Sequence, residues 1–156
     1  MNSTLVLGWG NPLFGDDGFG VRVVEKLRKM NLPKDIRVES CSSSPFSVMR
    51  KMLNYRKVII IDTLQIPHVK EGSVLRLNLK ELCDSPNLIN PHSLSLPAVL
   101  EIYRTLYPDQ VPDEVLVVGV CVGPPKVSEG LSEEVEAKID EVVELVVREV
   151  GGKGNE

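Results

Sequence analysis

The sequence predicts an α/β protein, a three-layer α/β/α sandwich around a mostly parallel twisted sheet of about five strands, with one edge strand antiparallel. Three observations carry that prediction. Apolar runs of strand length alternate along the chain with segments of helical period, which is the pattern of βαβ units. Val58-Ile59-Ile60-Ile61 is continuously apolar and β-branched, as a strand covered on both faces must be. Ser73 to Asn78 alternates instead as SVLRLN, so one of its sides faces water and it belongs at an edge.

Taken in order, Leu5 to Gly8 forms the first strand. Residues 18 to 30 place Val21, Val24, Leu27 and Met30 at helical spacing, and the preceding Asp16 and Asp17 stand where a helix cap belongs. Ile36 to Cys41 is a second, shorter strand. Ser44 to Leu53 opens on Ser-Pro and carries Val48, Met49, Met52 and Leu53, so a helix follows. The VIII strand and the alternating edge strand come next. A helix from Leu94 to Tyr107 tolerates Pro97 only because it falls near the first turn. Glu114 to Cys121 is another buried strand. Ser132 then caps a last helix whose Val135, Ile139, Val142, Val143, Val146, Val147 and Val150 trace one apolar stripe. Residues 1–150 thus read as a single α/β domain and 151–156 as a flexible tail.

A chain of 156 residues with 42% hydrophobic and 26% charged content sits near the globular average, which disfavours disorder and fibrous architectures. The net charge of −4, from 22 acidic and 18 basic residues interspersed along the chain, argues against a nucleic-acid partner. No apolar stretch approaches the ~20 residues of a membrane span, and the N-terminus has no basic region followed by an apolar one. A cytoplasmic monomer with no membrane association is therefore expected. Cys41, Cys83 and Cys121 are widely spaced and form no CxxC pair, so buried reduced thiols are expected rather than a disulfide frame or a zinc knuckle.

An open α/β sheet takes its ligands at the carboxyl ends of its parallel strands. Three stretches reach that rim. GWGNPLFGDDGFG, residues 8 to 20, leaves the first strand with Asp16 and Asp17; Asp62 follows VIII; His92 sits in the loop INPHSLSLP ahead of a helix. With strands one and three as parallel neighbours, Asp16 and Asp62 converge and His92 points over the same crevice. Two carboxylates and an imidazole without thiolate suit a divalent ion such as nickel, zinc or cobalt. Each residue also has a plainer use: one aspartate of the pair as a helix cap, Asp62 as the brace of its own turn, His92 as a loop residue and His68 at the surface. A nucleotide site does not fit. The pattern GxGxxG fails at Leu13, the phosphate loop lacks its Gly-Lys-Ser/Thr, and the two carboxylates repel phosphate.

GWGNPLFGDDGFG, then VIIIDT with Asp62, then NPHSLSLP with His92, resembles the hydrogenase maturation endopeptidases in order and spacing. VVGVCVGPPKVSEGLSEEVEAKI extends the resemblance to the family's closing strand, its turn and its final helix. The resemblance implies an endopeptidase that removes the C-terminal extension of a nickel-loaded nickel-iron hydrogenase large-subunit precursor. By position it implies Asp16, Asp62 and His92 as the catalytic, metal-contacting residues, with nickel supplied by the substrate protein and Asp17 on the helix side. The sequence departs from many relatives after the second strand, reading Glu39-Ser40-Cys41-Ser42-Ser43-Ser44-Pro45 where they carry an Asp-Gly-Gly-Thr or Cys-Gly-Thr type turn. Two readings of other classes use the same residues: a nickel-binding assembly module that cuts nothing, and a metal-dependent hydrolase of small molecules.

Overall fold

A computed structural model describes residues 2–42, 44–84, 96–124 and 130–151. Five strands, β1 (Asn2–Trp9), β2 (Ile36–Cys41), β3 (Tyr55–Leu64), β4 (Val74–Asn78) and β5 (Glu114–Cys121), form one sheet in the order β2-β1-β3-β5-β4. β2, β1, β3 and β5 run parallel, with Val6 opposite Ile59 and Ile60 opposite Val117, while β4 lies antiparallel against β5 at the edge. The VIII run is accordingly in the middle of the sheet, and the alternating SVLRLN segment is the antiparallel edge strand.

Strand periodicity sends alternate side chains to opposite faces, and both faces are covered. Leu5, Leu7, Trp9, Val58, Ile60 and Val117 form one core with Val48, Met49 and Met52 of α2 (Pro45–Met52) and Leu96, Val99 and Leu100 of α4 (Leu96–Leu106). Val6, Ile59, Ile61, Val118 and Val120 form the other with α1 (Phe19–Arg28), α5 (Glu133–Glu136) and α6 (Ile139–Glu149). A short α3 (Leu79–Cys83) follows β4 and opens with a capping box in which Asn78 and Glu81 satisfy each other's backbone amides. Among the described residues no helix is long and apolar enough to cross a membrane.

Four expectations are corrected. Neither aspartate caps α1: a 3-10 segment, Pro12–Gly18, intervenes, and α1 starts after Gly18 without a side-chain cap. The buried stripe of α1 is Phe19, Val23, Val24 and Leu27; Val21 is only partly buried, and Met30 is exposed because the helix ends before it, at Arg28. The final helix is interrupted between Glu136 and Ile139, yet Val135, Ile139, Val142, Val143, Val146 and Val147 stay buried in one layer, since a short turn preserves the side of the chain that faces the sheet. Cys41 and Cys121 are buried, but Cys83 is exposed at the end of α3.

At the amino ends of the strands, Glu149 ties α6 to the sheet. It pairs with Lys57 of β3 at 3.2 Å and with Arg76 of β4, and Lys57 also donates to the Glu149 carbonyl at 3.0 Å, satisfying the end of the helix. The Arg76 hydrogen bond, helped by Lys57, holds the Glu149 carboxyl below its usual range. A lowered folded-state value stabilises the fold above the ordinary glutamate range, and that contribution is lost as pH falls through the folded value. Because Arg76 is largely solvated, the effect is modest. Glu149→Gln should cost about 1 kcal/mol in urea unfolding at neutral pH. The difference from wild type should shrink to nothing in acid; an equal difference at every pH would exclude the ion pair as its source.

Candidate active site

The carboxyl ends of β1, β3 and β5 set the site. Gly20 lets α1 cross close over this end: a Cβ there would lie 2.5 Å from the Ile61 carbonyl oxygen and 2.9 Å from the Trp9 amide. The helix start, and the acid-bearing segment before it, are therefore seated directly on the ends of β1 and β3. Asn11 begins that segment by accepting the Leu13 amide at 3.0 Å, and Pro12 fixes the first turn.

The two adjacent aspartates do different work. Asp16 turns toward the helical layer of α5, where its carboxylate accepts the Ser132 amide at 2.7 Å and the Ser132 hydroxyl at 3.1 Å. Ser132 occupies the cap position of α5 without bonding that helix through its own side chain, so Asp16 reaches across 116 positions to serve the helix start. Asp17 bends the other way and accepts the Asn11 amide at 2.8 Å, closing the loop onto the strand it left. A Cβ on Gly10 would fall on the Asp17 carbonyl oxygen, so glycine is what admits this return.

Asp62 is still within β3, paired opposite Gly119 of β5, rather than in the loop beyond VIII. It is 0% exposed, and its Oδ1 accepts the Thr63 amide at 2.8 Å. Its parity along β3 is that of Val58, Ile60 and Leu64, the face shared with Trp9, α2 and α4. Gly8 pairs with Ile61, so the Gly10–Asn11 turn that holds Asp17 continues just beyond the level of Asp62 on the adjacent strand. The fold thus brings the Asp17 turn and Asp62 to neighbouring strand ends, whereas Asp16 is anchored on the α5 side. His92 lies outside the described residues; it precedes Leu96, the buried first residue of α4 on the Asp62 face, by four positions. Among the described residues no three His, Cys, Asp or Glu side chains gather as a metal-binding group. Burial pushes the Cys121 thiol up, away from the thiolate a nucleophile needs. His68, exposed at positive φ in the loop after β3, is a surface residue as expected.

Glycines that draw a helix onto strand ends, two buried or half-buried carboxylates and no cationic side chain between Gly8 and Gly20 define an α/β protein with an acidic, glycine-lined sheet rim. Residues 21–149 match the family model described as hydrogenase maturation protease. The hydrogenase 2 maturation protease of Escherichia coli is 30% identical over 154 residues, 97% of this chain and 93% of that one. The solved hydrogenase maturating endopeptidase of Escherichia coli superposes with a TM-score of 0.81 at 31% identity, over 96% of this chain and 94% of that one. A nickel-iron hydrogenase maturation protease from Thermococcus kodakarensis shares the fold at 21% identity, with a TM-score of 0.78 and coverage of 95% and 99%. The chain belongs to the hydrogenase maturation protease family, and it is a peptidase.

Proposed function

We propose that this peptidase removes the C-terminal extension of a nickel-loaded hydrogenase large-subunit precursor, acting as a cytoplasmic monomer. Membership of the family and the names of its relatives support the substrate class, and the three free cysteines suit a reducing compartment. The observation that carries the reading most is the seating of carboxylates from two adjacent strand ends on one rim, Asp62 at 0% exposure and Asp17 held by the Asn11 amide. Nickel belongs to the substrate in this scheme. Asp62, His92 and one aspartate of the 16–17 pair receive it, and the bonds to Ser132 favour Asp17 over the expected Asp16 for that contact, leaving Asp16 to fix the loop.

Holding the metal-bearing segment places the adjoining peptide bond beside the rim carboxylates, which converts a bimolecular attack into a positioned one. Water adds to the scissile carbonyl, its proton passes to a rim carboxylate, and the amine leaves with a proton returned from the same group. The metal's Lewis acidity would polarise that carbonyl in parallel. No serine-histidine pair is formed among the described residues, and the buried Cys121 is unsuited to nucleophilic attack.

Purified protein incubated with nickel-loaded and nickel-free precursor should release a C-terminal peptide from the loaded form alone, read by intact mass spectrometry. Binding without cleavage would establish the assembly-module reading instead, and cleavage of both forms alike would remove nickel from recognition.

A further inference from the structure

The carboxyl rim carries apolar side chains that the core does not use. Leu13 and Phe14 are 69% and 50% exposed on the 3-10 segment, and Phe46 is 52% exposed in the first turn of α2. Both segments leave neighbouring parallel strands at the same end: Trp9 of β1 pairs with Cys41 of β2, and the Gly10 amide donates to the Cys41 carbonyl at 3.0 Å. Their backbones are set in advance. Asn11 accepts the Leu13 amide and Ser44 accepts the Ser47 amide, with a proline at the start of each segment. The same segments bury Gly15, Gly18, Val48 and Met49, so exposure of the two phenylalanines is not a shortage of core.

Charge narrows the occupant. From Gly8 to Gly20 the sequence holds no lysine or arginine, while Asp16 and Asp17 lie within that stretch; on α2 the cation following Phe46, Arg50, is turned onto the Ser47 hydroxyl at 3.3 Å. Exposed apolar side chains on two segments that leave adjacent strand ends, one of them beside carboxylates, complement a segment with a cationic centre flanked by apolar side chains. We propose that Leu13, Phe14 and Phe46 are the docking surface for an apolar stretch of the protein substrate, adjoining its metal-bearing segment. This rests on the peptidase reading above, and it adds where the substrate's flanking residues bind. Exposed aromatics on prearranged backbone are the residue type that concentrates binding energy at interfaces.

The test compares wild type with the triple variant Leu13→Ser, Phe14→Ser, Phe46→Ser on nickel-loaded precursor. Thermal unfolding should be unchanged, because the three side chains are outside the core. KM should rise about tenfold or more, with kcat held within about twofold. A second variant, Ile102→Ser with Leu106→Ser, removes exposed apolar side chains of α4 and should leave KM unaltered. An unchanged KM in the triple variant overturns the proposal, as does an equal rise in the α4 variant. Should wild type cleave nothing, the peptidase reading fails separately, and interferometry of immobilised precursor decides the docking claim: weaker binding by the triple variant supports it, and equal binding overturns it.

Discussion

Asp62→Asn should abolish release of the C-terminal peptide while leaving the domain folded. Asparagine retains an oxygen that accepts the Thr63 amide, so the local hydrogen bond survives; what disappears is the carboxyl group's ability to exchange a proton or contact a metal at a fully buried strand end. Loss of a positioned acid-base or metal-contacting group costs about 10³-fold in rate, which mass spectrometry of a timed digest reads easily. Asp17→Asn and His92→Ala should match it. Asp16→Asn is expected to be milder, below about tenfold in rate and within about 1 kcal/mol in stability, because asparagine serves well in capping and keeps one acceptor for Ser132. The reverse order, with Asp16→Asn inactive and Asp17→Asn normal, would restore Asp16 as the metal-facing acid. Full processing by the Asp17, Asp62 and His92 variants together would remove the site from the crevice altogether.

The division of labour between Asp16 and Asp17 shows where a linear sequence stops being informative. Two identical side chains in succession after a glycine-rich turn have the same composition, charge and spacing to within one residue. What separates them is Ser132, which is distant in the chain and adjacent only once α5 has packed beside α1. The layers, by contrast, were legible because they follow from local periodicity. An unbroken β-branched run had to be central, SVLRLN had to be an edge, and Ile36–Cys41 and Glu114–Cys121 fell at their expected bounds. α3 escaped the reading because five residues cannot show a helical period, although the Asn78-to-Glu81 capping box was a usable signal. The break after Glu136 was hidden for the opposite reason: the valine stripe runs on through it, and only backbone geometry marks the turn.

Gly20→Ala should damage both stability and activity, although it adds a single methyl group to a helix where alanine is intrinsically preferred. Propensity favours the substitution by up to about 1 kcal/mol. Packing opposes it more strongly, since the new carbon would meet backbone: the Ile61 carbonyl oxygen at 2.5 Å, the Trp9 amide at 2.9 Å and the Gly8 Cα at 3.2 Å. Backbone in the two central strands cannot rotate aside as a side chain would, so α1 must lift from the sheet. Overpacking of this kind costs about 1–3 kcal/mol. A net loss near 2 kcal/mol lowers the midpoint of thermal unfolding by roughly 4–8 °C in a domain of this size. The functional consequence is larger than the thermodynamic one. The lift carries the Pro12–Gly18 segment away from the ends of β1 and β3, separating the Asp17 turn from Asp62, and a displacement near 1 Å can cost about 10²-fold in rate. Val21→Ala, on the same helix but with a side chain only partly buried, should change neither quantity by comparable amounts. A Gly20→Ala protein that unfolds at the wild-type temperature and processes precursor at the wild-type rate would show that helix and strands are not held at the separation on which the whole rim depends.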